Sequence, residues 1–127
     1  MSQEYPESEL TNRIILAAIE VHRALGPGLL ESAYEACLHK ELELQNLDAK
    51  KQVELPVFYK GVNLDCGYRI DLLVAKRVIV ELKTVEKILP VHEAQLLTYM
   101  KLMGLRVGLI LNFNCTLMKD GIKRLVL

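Results

Sequence analysis

Two acids and a lysine interrupt a stretch of sequence otherwise built for burial. Asp71 lies in the run Tyr68-Arg69-Ile70-Asp71-Leu72-Leu73-Val74, and Glu81 and Lys83 lie in Val78-Ile79-Val80-Glu81-Leu82-Lys83. Both runs are apolar and rich in β-branched residues, and they set apolar side chains on both faces, as strands covered on two sides do. A carboxylate taken out of water costs several kcal/mol unless a cation or hydrogen-bond donors compensate it. Centring the tight turn on Lys76 sets Asp71 across from Glu81, and such cross-strand partners have Cβ atoms roughly 4.5–5.5 Å apart. Alternation with period two puts Glu81 and Lys83 on one face, where Asp71 joins them. An even number of loop residues would break this register and send Asp71 to the other face. Two facing acids are hard oxygen donors that suit a Mg²⁺ ion keeping several waters for a substrate phosphate. The same three residues also fit an internal Asp71–Lys83–Glu81 ion-pair cluster, although a buried cluster of that kind adds little stability.

An Asp on one strand followed by Glu-x-Lys on the next resembles the PD-(D/E)XK nuclease superfamily, with Ile70 standing where its signature has Pro. A second motif narrows the resemblance. Gly28-Leu29-Leu30-Glu31-Ser32-Ala33-Tyr34 is similar to the Gly-x-x-Glu-x-x-Tyr motif of the GxxExxY family, a bacterial and archaeal group of that superfamily. The likeness runs from Ile19 to Val126 and takes in Tyr59-Lys60-Gly61, the Asp71 to Lys83 hairpin, His92-Glu93-Ala94-Gln95, Asn112-Phe113 and Lys119-Asp120-Gly121. It implies that Asp71, Glu81, the Leu82 main-chain carbonyl and Glu31 ligate Mg²⁺ or Mn²⁺. Lys83 would then orient or deprotonate a water, or stabilise the transition state. Gln95-Leu96-Leu97-Thr98-Tyr99 looks like the Gln-x-x-x-Tyr motif of RecB-type nucleases, which implies that Gln95 and Tyr99 position the substrate phosphate.

The elements that must hold these residues are legible as patterns. Leu10, Ile14, Ala17, Ala18 and Val21 recur at helical spacing, with Ser8 as the expected N-cap and Gly26-Pro27-Gly28 as the stop, so a first helix is expected over 9–25. Its Glu20 and His22 are read as solvated or dipole-satisfying residues. A second helix should open just after Gly28 and run toward Gln45-Asn46, with Leu30, Ala33, Tyr34, Cys37, Leu38 and Leu42 as its apolar stripe. Its Glu31 and Glu35 are like charges one turn apart, a weakening arrangement on an ordinary surface. Val53 to Tyr59 alternates as a half-buried strand with Pro56 suggesting an edge, and Lys60-Gly61 turns into Val62 to Leu64. Pro90 and Gly104 bracket a third helix whose core stripe is expected to be Ala94, Leu97, Met100 and Met103, with Gln95 and Tyr99 meeting at i, i+4. Leu105 to Leu111 reads as a buried strand that completes a βαβ unit, with Gly108 allowing close helix packing. Asp120-Gly121 suits a tight turn before a last strand, Ile122 to Val126. The fold class expected is α/β, a mixed β-sheet flanked by helices.

The 127 residues fit one domain over the whole chain, with an adequate core. No apolar run approaches a membrane span, and Met1 to Tyr5 resembles no signal or transit peptide, so a cytoplasmic protein is expected. Cys37, Cys66 and Cys115 are odd in number and widely spaced, against a disulfide framework or an iron–sulfur cluster; they should be reduced and partly buried. Sixteen Lys and Arg balance sixteen Asp and Glu, so there is no global basic field for nucleic acid. The function expected is a metal-dependent phosphodiester hydrolase acting on nucleic acid, DNA foremost, with a homodimer as one way for so small a domain to cover a duplex. The competing reading is a catalytically inactive nuclease-like fold that binds nucleic acid or a protein partner.

Overall fold

The computed structural model describes residues 6–127, so the expectation about Met1 to Tyr5 lies outside the described residues. Helix α1 (Ser8–Leu25) leads into α2 (Glu31–Leu44), strand β1 (Ala49–Glu54), a small ribbon of β2 (Val57–Tyr59) and β3 (Val62–Leu64), and the hairpin β4 (Arg69–Val74) and β5 (Val78–Lys83). Helix α3 (Pro90–Met103), β6 (Val107–Asn112), a short 3₁₀ turn (Met118–Gly121) and β7 (Ile122–Val126) complete the chain. The main sheet has the order β1-β4-β5-β6-β7, with β5 and β6 parallel and the other neighbours antiparallel. This is the α/β fold expected, a mixed five-stranded sheet with helices on both faces. One core joins α1 and α2 to Leu72, Val74, Val78, Val80, Leu82, Leu109 and Leu111; the other joins α3 to Ile70, Leu73, Ile79 and Ile110.

The hairpin register stands as the spacing predicts. Val74 pairs with Val78, Leu73 with Ile79 and Leu72 with Val80. Ala75 and Lys76 take left-handed backbone (φ 53° and 58°), and the Arg77 N–H donates to the Val74 carbonyl at 3.0 Å, so Arg77 is the odd residue that preserves the pairing. The close approach at Gly108 is also real, because a Cβ there would lie 2.9 Å from Leu96 Cδ1.

Other boundaries move, each for a local reason. Ser8 is the first helical residue rather than the cap, because Glu7 takes the cap position with left-handed backbone and its carbonyl accepts the Thr11 N–H. His22 is buried rather than solvated, its ring nitrogen 2.8 Å from the Cys115 carbonyl oxygen. Helix α2 starts only at Glu31; Leu30 stands before it, 77% exposed, and Tyr34, Leu38 and Leu42 alone form its buried line. Cys37 and Cys66 are exposed and only Cys115 is half-buried, against the expectation for all three. The strand expected over Val53 to Tyr59 is cut at Pro56: β1 begins earlier, at Ala49, and Leu55 turns inward with its N–H bonded to the Tyr68 carbonyl at 3.0 Å. In α3 the buried residues are Leu96, Tyr99 and Met100, with Leu97 and Met103 partly buried and Ala94 exposed, because Leu96 occupies the space above Gly108. Asp120 and Gly121 end the 3₁₀ turn rather than form a hairpin, and a Cβ on Gly121 would collide with the Asn112 carbonyl oxygen.

Candidate functional site

The candidate site is the open end of the β4–β5 hairpin, where regular pairing stops after Leu72 and Val80. One residue further out the carboxylates replace the ladder. Asp71 N–H donates to Glu81 Oε2 at 3.2 Å, and Leu82 N–H donates to Asp71 Oδ2 at 2.9 Å, so each acid is tied to the opposite strand's backbone. The alternation of β4 also breaks here: Leu72 belongs to the α1/α2 core, and Ile70, two residues away, belongs to the α3 core. On β1 the break falls at Gln52, which is bracketed by the pairs Lys51↔Leu72 and Val53↔Ile70 and so faces Asp71. Gln52 carries φ 51°, a left-handed conformation that an L-residue adopts at a cost of roughly 1–2 kcal/mol. Its amide holds both neighbours, donating to Glu35 Oε1 at 2.6 Å and reaching Asp71 Oδ1 at 3.4 Å.

The electrostatics follow from burial and crowding. Glu81 is only 7% exposed. Desolvation pushes its carboxyl up to about 9, with the Asp71 charge and a carboxyl–carboxylate hydrogen bond to Asp71 acting in the same direction. At neutral pH Glu81 therefore keeps its proton. Lys83 opposes the shift weakly, and among the described residues it forms no ion pair with either acid. That geometry does not support the internal ion-pair cluster. Among the described residues no three His, Cys, Asp or Glu side chains are gathered closely enough to hold a metal ion. The donors point at each other's backbone, not at a common point.

Glu31 reaches this site from the first turn of α2. Burial raises its carboxyl, the Asp71 charge raises it further, and Lys83 lowers it, so it senses both members of the hairpin. The Gly-x-x-Glu-x-x-Tyr stretch is the device that sets it there. Gly28 takes φ 100°, a conformation open to glycine. Tyr34 donates its hydroxyl proton to the Gly26 carbonyl, accepts the Leu29 N–H at 3.1 Å, and stacks on Phe113 at 4.4 Å. The loop before Glu31 is thereby fixed to its own helix and to the segment after β6.

Beyond Lys83 the chain is held by Asn112, itself 5% exposed. Its amide donates to the Val85 carbonyl at 2.8 Å and its oxygen accepts the Val85 N–H at 3.1 Å, while Phe113 N–H donates to the Lys83 carbonyl at 2.9 Å. Helix α3 brings Tyr99 to the other side of the acids. The Tyr99 hydroxyl is raised by burial first and then by the Glu81 charge, and it accepts a hydrogen bond from the exposed Gln95. Asp71 thus lies within electrostatic reach of Glu81, Glu31 and Tyr99, and Lys83 within reach of Glu81 and Glu31, with Gln95 joined through Tyr99.

Gln52, Glu35 and Asn112 escaped the sequence reading as members of this neighbourhood. Starting the strand at Val53 left Gln52 outside it, and nothing in a Lys-Gln-Val run announces a left-handed residue. Glu35 carried a signal, its like-charge spacing from Glu31. Its carboxyl is raised by burial and by Asp71, and lowered by the Gln52 hydrogen bond.

A family model described as the PD-(D/E)XK nuclease superfamily matches residues 8–125. No curated protein and no solved structure matches the chain.

Proposed function

The chain belongs to the PD-(D/E)XK nuclease superfamily, and from that premise we propose that it is a Mg²⁺- or Mn²⁺-dependent nuclease of the GxxExxY branch, with residues 1–127 acting as one domain. The observation that carries this reading is the pair of facing carboxylates at a broken strand pairing, of which Glu81 keeps its proton to about pH 9 because burial and the neighbouring Asp71 outweigh Lys83. The chemistry of these side chains, hard carboxylate oxygens, suits a divalent cation, which would have to draw them away from the backbone N–H groups they now accept from. Asp71, Glu81, the Leu82 carbonyl and Glu31 are the residues that would hold it. When bound, the ion lowers the pKa of a water and neutralises charge developing on the phosphate.

The chain's own groups supply the rest. Lys83 follows Glu81 on β5, and its exit from the strand is fixed by Asn112 and Phe113, so its ammonium is available to orient the attacking water and to balance negative charge in the transition state. Tyr99 and Gln95 offer a hydroxyl and an amide to a phosphate oxygen from the α3 side. No helix among the described residues is long and apolar enough to cross a membrane. A cytoplasmic protein acting on DNA, as a homodimer when the substrate is a duplex, completes the proposal. Neutral net charge favours the non-cleaving alternative, a module that binds nucleic acid or a protein.

The test is cleavage of labelled single- and double-stranded DNA and RNA in Mg²⁺ or Mn²⁺ beside an EDTA control. Metal-dependent cutting lost in Glu81→Gln is the expected result. Binding without cutting in either metal would leave the non-cleaving module.

A further inference from the structure

A groove of about 430 Å³ opens between α3 and the β2–β3 ribbon, with walls that include Val57, Tyr68, Ala94, Thr98, Gln95 and Tyr99. Its size lies within the range of about 300–1,000 Å³ typical of small-molecule sites. Tyr68 and Tyr99 meet in its wall with ring centroids 5.9 Å apart and planes tilted by 60°. Two of its lining residues, Gln95 and Tyr99, are also the α3 residues beside the acids, and the charges of Glu81 and Asp71 act on the Tyr99 hydroxyl. Tyr68 of the groove wall also immediately precedes β4, which carries Asp71, so the groove adjoins the strand end at which the acids sit. Next to the groove the ribbon exposes Phe58 (64%) and Tyr59 (58%), and the Lys60 ammonium lies 5.3 Å over the Tyr59 ring. The ribbon's strands pair mainly with each other, which leaves these rings facing outward.

We propose that this groove seats an unpaired base of the substrate strand whose neighbouring phosphate lies at Asp71 and Glu81, so that single-stranded nucleic acid is the preferred substrate. The inference rests on the nuclease reading above. Its occupant follows from that adjacency: a strand held by its phosphate beside Tyr99 carries the adjoining base within reach of the groove. Away from Gln95, Thr98 and Tyr99 the walls are apolar and offer a phosphate little, whereas aromatic rings bind any base by its flat face. Bases of a duplex are stacked on one another and paired, so they do not enter a side groove without being unpaired first. Sequence preference should be slight, because the walls present few polar groups to a base edge.

The test compares a strand that carries bases with one of equal charge that carries none, and both with a duplex. Fluorescence anisotropy of the wild type in millimolar Ca²⁺, a hard cation for the same oxygens, is measured with a labelled strand of about twelve thymidylates, with an abasic strand of the same length, and with a duplex. The thymidylate strand should bind at least about tenfold more tightly than the abasic strand. Equal affinity for the two, tighter binding of the duplex, or no binding of any strand would overturn the proposal. A second measurement places a reporter in the groove: the chain has no Trp, and Val91 on the groove wall is 65% exposed, so Val91→Trp adds a single indole at a tolerant position. Its emission should change saturably with the thymidylate strand and not with the abasic one. A change with protein concentration alone would assign the groove to a second copy of the chain and overturn the proposal. Mn²⁺-induced stabilisation of the wild type is read separately. Its loss with base binding intact would strike the carboxylate reading, and its persistence without base binding would strike the groove.

Discussion

At its turn end the β4–β5 hairpin is a regular ladder: Leu72, Val74, Val78 and Val80 are fully buried, and each pairs in register. At its open end, one residue away, the ladder gives way to carboxylates bonded to the opposite backbone, side-chain alternation fails, and Gln52 is held in a left-handed conformation. The two ends lie on the same two strands, so their difference isolates what has been arranged for chemistry. Packing accounts for the first end completely. It gives no reason for the second, where a buried acid must keep a proton and a strand residue must accept strain.

The largest effect expected in this comparison is at the dry end. Leu72→Ala removes a fully buried side chain and should cost about 2–5 kcal/mol, read by urea denaturation. Glu81→Gln, nine positions along and almost as buried, should by contrast be neutral or stabilising at pH 8 in EDTA, because it removes a group that resists ionising there. Similar losses at both positions would abolish the distinction between the two ends.

pH should separate the ends next. The Glu81 carboxyl is raised from an ordinary 4.5 to about 9 in the fold, so the folded chain holds more protons than the unfolded one between those values. Stability linked to Glu81 is then fully present below 4.5 and is lost as pH rises through about 9. Glu31 and Glu35 are raised in the same direction and add to the trend. In EDTA the melting temperature should fall from pH 5 to pH 8.5, with a shallower fall in Glu81→Gln. Identical slopes for the two proteins would remove Glu81 from the explanation.

The smallest effect concerns Gln52. Gln52→Gly relieves the left-handed backbone and should leave stability unchanged or raise it by up to about 1 kcal/mol, even though two hydrogen bonds to carboxylates are lost. Gln52→Ala keeps that backbone cost and should be the less stable of the two. A destabilised Gln52→Gly would show that the open end depends on the side chain for folding.

How much of this was legible in the sequence depends on whether a local pattern or a tertiary contact decided the outcome. The register that brings Asp71 toward Glu81 was readable because β-branched runs fix the strands and an odd loop fixes the register, whereas the end of the ladder at Leu72 and Val80 was not. The core stripe of α3 was not, because Ala94, Leu96, Leu97 and Met100 are all apolar and only the gap above Gly108 selects Leu96. Tyr34 is equally mute in sequence, since its clamp on Gly26 and Leu29 depends on a loop whose path periodicity does not describe. Gln52 was least accessible: its conformation is imposed by two carboxylates that reach it from another helix and another strand.

The most direct test of the metal-site account is chemical denaturation of wild type and Asp71→Asn, each in EDTA and in millimolar Mn²⁺. Asn keeps the shape and an oxygen for the Leu82 N–H while removing the carboxylate that faces the protonated Glu81. In EDTA the variant should be as stable as the wild type or more so. In Mn²⁺ the wild type alone should gain stability, because a ligand bound only by the native state stabilises it by mass action. An Asp71→Asn protein weakened in EDTA by roughly 3–5 kcal/mol, as when a buried ion pair is broken, or a wild type indifferent to Mn²⁺, would contradict the account.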